Sequence, residues 1–328
     1  MWLLKEFDFI RSIQPDFYRQ SSVVKGIGDD AAIVRHTNED IITTIDTMVE
    51  NVHFSAKTTE PFHIGYRALA ANISDIAAMG GKPTSYVVSI VIPDSWAADD
   101  LQEIYHGMEE LAKVFNMDLI GGDTVSGEQL VLSITVLGTV LKGNARYRSD
   151  AQEHDIIFVT GTLGDAACGL HLLLNATHQE QDKYQYFVKR HQMPMPRVSF
   201  INHCQNITRM SLNDISDGIA NEANEIAETS DKTLIIEYDK IPSHSQLADF
   251  SPEQQFKWSL TGGEDFELIG TVSEKDWELL KTIAEKANTK ISAIGMVRND
   301  WSKNGTVWLQ HNHQLKKLEK SGYTHLSR

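Results

Sequence analysis

The sequence predicts two layered α/β domains. Two observations carry this prediction. Short β-branched runs alternate with longer amphipathic segments along the chain, and its 328 residues suggest two cores of ordinary size. A third observation agrees: apolar residues make up 41%, as in an ordinary globular protein, with no low-complexity segment or short repeat.

The elements follow in order. "IITTID" (41–46) reads as a strand of β-branched residues. "FHIGYRALAANISDIAAMGG" (62–81) reads as an alanine-rich helix stopped by two glycines and Pro83. "SYVVSIVIP" (85–93) is a strand ended by proline, and "DDLQEIYHGMEELAKVF" (99–115) an amphipathic helix with an Asp cap. "LVLSITVLGTVL" (130–141) is a buried strand, so the first half reads strand, helix, strand, helix, strand. The polar stretch 142–155 reads as the domain connection, dividing the chain into residues 1–145 and 146–328. "IIFVTG" (156–161) opens the second half. Helices are expected near 164–176, 181–191, 218–229 and 274–287, with strands near 233–238, 266–272 and 291–297.

Composition excludes several classes. Acidic residues outnumber basic ones 45 to 30, a formal charge of −15, which disfavours a nucleic-acid binder. An acidic surface repels a phosphorylated ligand unless local cations reverse the sign. No apolar window is long enough to span a membrane, and the N-terminal stretch lacks the apolar core of a signal peptide. Cys168 and Cys204 form no CxxC pattern, which argues against a disulfide framework or a zinc site and fits a cytoplasmic location.

The carboxylates are the informative residues. "GIGDDAAIV" (26–34) sets Asp29 beside Asp30 where a loop becomes a strand. A solvated turn explains that pair as readily as a bound cation does. The same acid-and-glycine pattern recurs, however. Thr44 and Asp46, two apart on a strand, face one side, and Asn72 and Asp75, three apart, share a helix face. "IGGDT" places Asp123 after a glycine pair and just before the next strand. "NDISDG" places Asp214, Ser216 and Asp217 ahead of a helix, and "TGGEDFEL" places Glu264 and Asp265 ahead of a strand. Singly, each is also a turn or a cap. Together, Asp30, Asp46, Asp75, Asp123, Asp214 and Asp217 form a set of carboxylates that a fold buries only with counter-charge. Hard divalent cations such as Mg²⁺ supply it, and glycine-rich loops offer N–H groups to phosphate oxygens. A P-loop is absent: "MGGKPT" lacks the first glycine, at Ile76, and carries proline after Lys82. Protein-kinase motifs are absent as well.

"GIGDDAAIV", "TIDTMVENVHF", "NISDIAAMGG", "GGDT", "VTGTLGDAACGL", "DISDG" and "TGGEDFEL", in this order, resemble the thiamine-monophosphate kinase family of the aminoimidazole ribonucleotide synthetase superfamily. The resemblance runs from about Lys25 to Tyr323. It implies an α/β two-domain fold whose N-terminal sheet pairs across a homodimer, and transfer of the ATP γ-phosphate to thiamine phosphate. It also implies roles. Asp30, Thr44, Asp46, Asp75, Asp123, Asp214 and Asp217 match magnesium positions, several ions in all, with Ile45 contributing at most its backbone. Tyr105, Gly122, Asp123, Arg148 and Ser216 match positions near ATP; His53, Glu264 and Tyr323 match thiamine-phosphate contacts. No side chain is expected to act as nucleophile or general base, because a phosphate monoester is largely a dianion near pH 7. Asn51 departs from the family's usual small residue, and "NARYRSDA" leaves Arg146 as the alternative to Arg148.

Within the superfamily, selenophosphate synthetase would call for an early reactive cysteine, and the hydrogenase-maturation relative ends in cysteine; this chain has neither. A non-catalytic cation- or nucleotide-binding protein is the rival of a different class, separated by ATP consumption that depends on a second substrate.

Overall fold

Alternating burial sets the first sheet. Along β3 (Glu39–Val49) the buried residues Ile42, Thr44 and Met48 face inward, while Ile45 and Thr47 face out. The same alternation runs along β4 (Lys82–Ile92) and β6 (Val131–Leu141). With β1 (Val23–Lys25), β2 (Ala32–His36) and β5 (Asp118–Ser126) they form a six-stranded sheet of order β1-β2-β3-β6-β4-β5. A computed structural model describes residues 23–25, 29, 32–36, 38–300 and 302–323.

Helices α1 (Pro61–Ala78) and α2 (Ala98–Phe115) cover the inner face. They cross at backbone contact. A Cβ on Gly65 would lie 1.8 Å from the Ile104 carbonyl oxygen, and one on Gly107 would lie 1.9 Å from that of Phe62. The expected Asp cap of α2 is not formed: Ala97 holds the cap position, and Asp99 and Asp100 sit in the first turn, where they favour the helix dipole.

The second half is a seven-stranded sheet of order β13-β12-β9-β11-β7-β10-β8. Its strands are β7 (Ile156–Thr160), β8 (Met210–Ile215), β9 (Thr233–Glu237), β10 (Glu267–Val272), β11 (Ile291–Arg298), β12 (Thr306–His311) and β13 (Gln314–Leu318). Its helices are α3 (Asp165–Asn175), α4 (His178–Lys183), α5 (Gln185–Gln192), α6 (Val198–His203), α7 (Ile219–Ser230), α8 (Pro252–Thr261) and α9 (Trp277–Lys286). Neighbours on one strand serve different cores. Phe158 and Leu268 join the apolar cluster that includes α1, whereas Val159 and Ile269 pack with α7. One apolar cluster therefore runs from α1 of the first half through β8 and β10 of the second.

Three expectations need correction. Asp123, expected just before the next strand, lies on the edge strand β5 itself. Its nine residues are all exposed and two are glycines, so it carries none of the alternation that marks a half-buried strand. The helix expected at 181–191 is two, α4 and α5, broken at Tyr184. Strands β8, β12 and β13 and helices α6 and α8 were not anticipated. Within the polar stretch 142–155, Arg146 is buried, and the buried Asp155 accepts 2.6 Å bonds from both Nη atoms of Arg209.

Candidate active site

The ends of β3, α1, β8 and the loop before β10 meet at a cavity of about 730 Å³ between the two halves. Its carboxylate side is built from Asp46, Asp75, Asp214 and Asp217, with Ser216. Period-2 geometry turns Thr44 and Asp46 to the same face of β3, and the Thr44 Oγ1 hydroxyl donates to Asp75 Oδ2 at 2.5 Å. Asp75 reaches the cavity because α1 is buried along nearly its whole length. Asp214, on the fully buried β8, accepts a 2.8 Å bond from Ser74 Oγ. Burial, reinforced by Asp46 and Glu225, pushes the Asp214 carboxyl up to about 6 against the pull of Ser74 and Arg148. The Asp217 amide donates to Glu222 Oε1 at 2.9 Å, which fixes the turn that opens α7.

Another part of the lining is different. Glu264 sits at φ +65°, in the left-handed region that favours glycine. Its amide donates to the Ser216 carbonyl at 2.7 Å. Gly263 makes this approach possible, since a Cβ there would lie 2.6 Å from the same oxygen. Both Glu264 carboxylate oxygens accept from Arg67 Nη2 at 2.6 Å. Arg67 is 1% exposed. His191, also buried, places Nδ1 3.5 Å from Glu264 Oε2. Burial works against the charge of Glu264, but the charge of Arg67 and its hydrogen bonds outweigh it and hold the carboxyl below its ordinary range. Burial, with Arg67 adding, brings the His191 imidazole down to about 4, so the ring is neutral near pH 7.

His53 lines the same wall, its ring 6.3 Å from that of Tyr323. His53 Nδ1 accepts from the Val49 amide at 3.0 Å, so the neutral ring carries its proton on Nε2. Asn51 takes φ +62°, in the left-handed region that asparagine tolerates better than most side chains.

The residues expected to act together are thus only partly brought together. Asp46, His53, Asp75, Asp214, Ser216, Asp217, Glu264 and Tyr323 line the cavity, and Thr44 reaches it through Asp75. Ile45 is exposed on the outer face of β3. Gly122 and Asp123 lie on exposed β5, and Tyr105 packs half-buried on α2; none of the three lines the cavity. Arg148 lies outside the lining too, with Nη1 3.3 Å from Glu225 Oε2 and Nε 3.7 Å from Asp29 Oδ1. Arg146 instead spends its guanidinium on the carbonyls of Cys204, Ile207 and Thr208. Asp30 lies outside the described residues. Sequence reasoning missed Arg67 and His191. A signal for Arg67 was present: it is the one basic residue in the interior of an alanine-rich helix that is otherwise apolar or small over "IGYRALAANI".

Among the described residues, no three carboxylate, imidazole or thiol groups stand close enough together to form a ready metal cage. The carboxylate side offers oxygen donors alone, around a buried Asp214 whose charge is disfavoured. That set fits a hard cation that completes its shell with water and phosphate oxygens, and does not fit a metal needing a full protein cage.

Residues 28–140 match the family described as AIR synthase related protein, N-terminal domain, and residues 152–307 match its C-terminal domain. The two α/β halves and the cavity between them are those of a two-domain protein of the AIR synthase related class. The thiamine-monophosphate kinase of Bacillus subtilis (strain 168) is 47% identical over 327 residues, covering 98% of this chain and 99% of that one. A solved structure described as AaThiL complexed with AMPPCP and TMP matches with a TM-score of 0.85 at 27% identity, covering 98% of this chain and 97% of that one. The thiamine-monophosphate kinase structure from Stenotrophomonas maltophilia K279a matches at 0.77 and 32% identity, covering 92% and 94%. The chain belongs to the thiamine-monophosphate kinase family.

Proposed function

We propose that the cavity is where thiamine phosphate accepts the γ-phosphate of ATP, giving thiamine diphosphate and ADP by direct in-line transfer. ATP-dependent phosphorylation of thiamine phosphate is the activity of the family to which the chain belongs. The observation that carries the site assignment is the division of one cavity into a carboxylate side and a paired wall.

Asp46, Asp75, Asp214 and Asp217 would hold Mg²⁺, with Thr44, the Ile45 backbone, Asp123 and Asp30 completing the set; for Asp30 the support is its place in the "GIGDDA" motif alone. When bound, the cations neutralise charge between two polyanionic substrates. Thr44 and Ser74 orient two of the carboxylates, and the buried surroundings of Asp214 make its charge depend on a cation. His53, Glu264 and Tyr323 contact thiamine phosphate. Tyr105, Gly122, Asp123, Arg148 and Ser216 serve ATP, and the hold of Arg146 on three carbonyls supports Arg148 as the arginine of the pair. The acceptor phosphate, with a second pKa of about 6, is its own nucleophile near pH 7, so no side chain needs to remove a proton.

The wholly exposed edge strand β5, with Leu119, Ile120 and Val125 uncovered, supports a homodimer through the first sheet. Two buried, unpaired cysteines support a cytoplasmic location, and among the described residues no helix is long and apolar enough to cross a membrane. The domain division at 145/146 falls between β6 and β7.

Incubation with γ-labelled ATP and Mg²⁺ tests the reading. Label is expected in thiamine diphosphate only when thiamine phosphate is present, and none on the protein. A labelled protein formed from ATP alone would contradict direct transfer.

A further inference from the structure

Among the described residues Arg67 is the largest fully buried side chain, and it lies behind the cavity wall rather than on it. A buried guanidinium needs a reason. Its Nη2 reaches both oxygens of Glu264 at 2.6 Å, across 197 residues of sequence. Its Nη1 and Nη2 also lie 3.5 Å from the His53 carbonyl, and Nη1 lies 3.5 Å from Thr59 Oγ1. One arginine in α1 thus ties down two cavity-lining residues, one from each half of the chain. Glu264, held at φ +65°, keeps about 29% of its side chain exposed while Arg67 is sealed behind it. The pair is therefore a dipole with its carboxylate end toward the cavity. The neutral imidazole of His191 fills the remaining side without competing for the charge.

We propose that Arg67 is a positioning residue for the acceptor: it fixes Glu264 as a standing anion, and the loop of His53 beside it, so that the wall takes the permanently cationic thiazolium ring of thiamine phosphate. This rests on the reading that thiamine phosphate binds in this cavity. The ring cation lies against the exposed carboxylate end of the dipole, while its phosphate points away toward Asp46, Asp75, Asp214 and Asp217. A neutral wall would bind the same ester without fixing which end faces ATP. Lysine at this position keeps the charge but loses the planar fork that reaches both Glu264 and the His53 carbonyl.

The test is steady-state kinetics of Arg67→Met, Arg67→Lys, Glu264→Gln and the double variant Arg67→Met/Glu264→Gln, with melting temperature as a control for folding. The wild-type enzyme is assayed first; absence of thiamine-phosphate-dependent ADP release there would defeat the cavity assignment itself. With that activity in hand, Arg67→Met is expected to raise KM for thiamine phosphate at least tenfold and leave KM for ATP within twofold. Arg67→Lys should recover part of the loss. The double variant should match Glu264→Gln alone, because Arg67 acts through Glu264; this comparison decides the matter if Arg67→Met does not fold. An equal change in both KM values, additive losses in the double variant, or failure of both Arg67→Met and the double variant to fold would overturn the proposal.

Discussion

Two carboxylates that line one cavity show opposite behaviour. Asp214 is pushed up to about 6, whereas Glu264 is held below its ordinary range. Burial opposes charge at both, so burial does not explain the difference. The neighbours do. Glu264 meets a buried arginine at 2.6 Å, while Asp214 meets a serine hydroxyl at 2.8 Å with Asp46 and Glu225 nearby. One side of the cavity is compensated by the protein itself. At Asp214, on the other, Ser74 and Arg148 do not outweigh burial, Asp46 and Glu225. The same amino-acid chemistry therefore yields one carboxyl held toward its charged form and another held toward its neutral form.

The sharpest way to break this comparison is to remove divalent cations. Chelation with EDTA is expected to abolish turnover and added Mg²⁺ to restore it, while thiamine phosphate binding, followed by calorimetry, persists at the paired wall. Loss of that binding on chelation would mean that the two sides are not independent.

Acid stability sharpens the account of the wall. As pH falls, the unfolded chain protonates its histidine near 6.5, but folded His191 resists until about 4. The unfolded state thus binds more protons across that window, and stability falls as pH drops from about 6.5 to about 4. The cost at the acid end is on the order of 2–3 kcal/mol. Melting curves of His191→Asn against pH should be flatter over this range, and an unchanged slope would count against the neutral buried imidazole.

A smaller effect is expected on the carboxylate side. Asp46→Asn or Asp75→Asn should lower turnover at least tenfold at saturating Mg²⁺, about 1.4 kcal/mol of transition-state stabilisation. Near-normal rates would remove these residues from the cation set. Least of all, Ser74→Ala removes the hydroxyl that Asp214 accepts from and should cost about 1 kcal/mol in unfolding measurements. It should leave KM for thiamine phosphate unmoved.

What the sequence revealed follows the same division. The convergence of Asp46, Asp75, Asp214 and Asp217 was legible because each sits next to small or apolar residues at the end of an element. Helices α1, α2 and α7 were legible from their periodicity within a few residues. Strand β5 was not, because a solvent-exposed edge with two glycines has no buried face to set a pattern. Asp123 was accordingly placed before a strand instead of on one. The Arg67–Glu264 pair was hidden for another reason. Its partners are 197 residues apart, and only the packing of α1 against the second half brings them together. Local periodicity carries no information about such contacts.

The most direct test of a divided cavity compares Glu264→Gln with Asp75→Asn, measuring the KM for thiamine phosphate and the Mg²⁺ requirement of both. Glu264→Gln should raise KM for thiamine phosphate at least about tenfold and leave the Mg²⁺ requirement within about twofold. Asp75→Asn should do the reverse. If both variants shift the same constant to the same extent, the cavity is a single undivided site and the account given for its two sides is wrong.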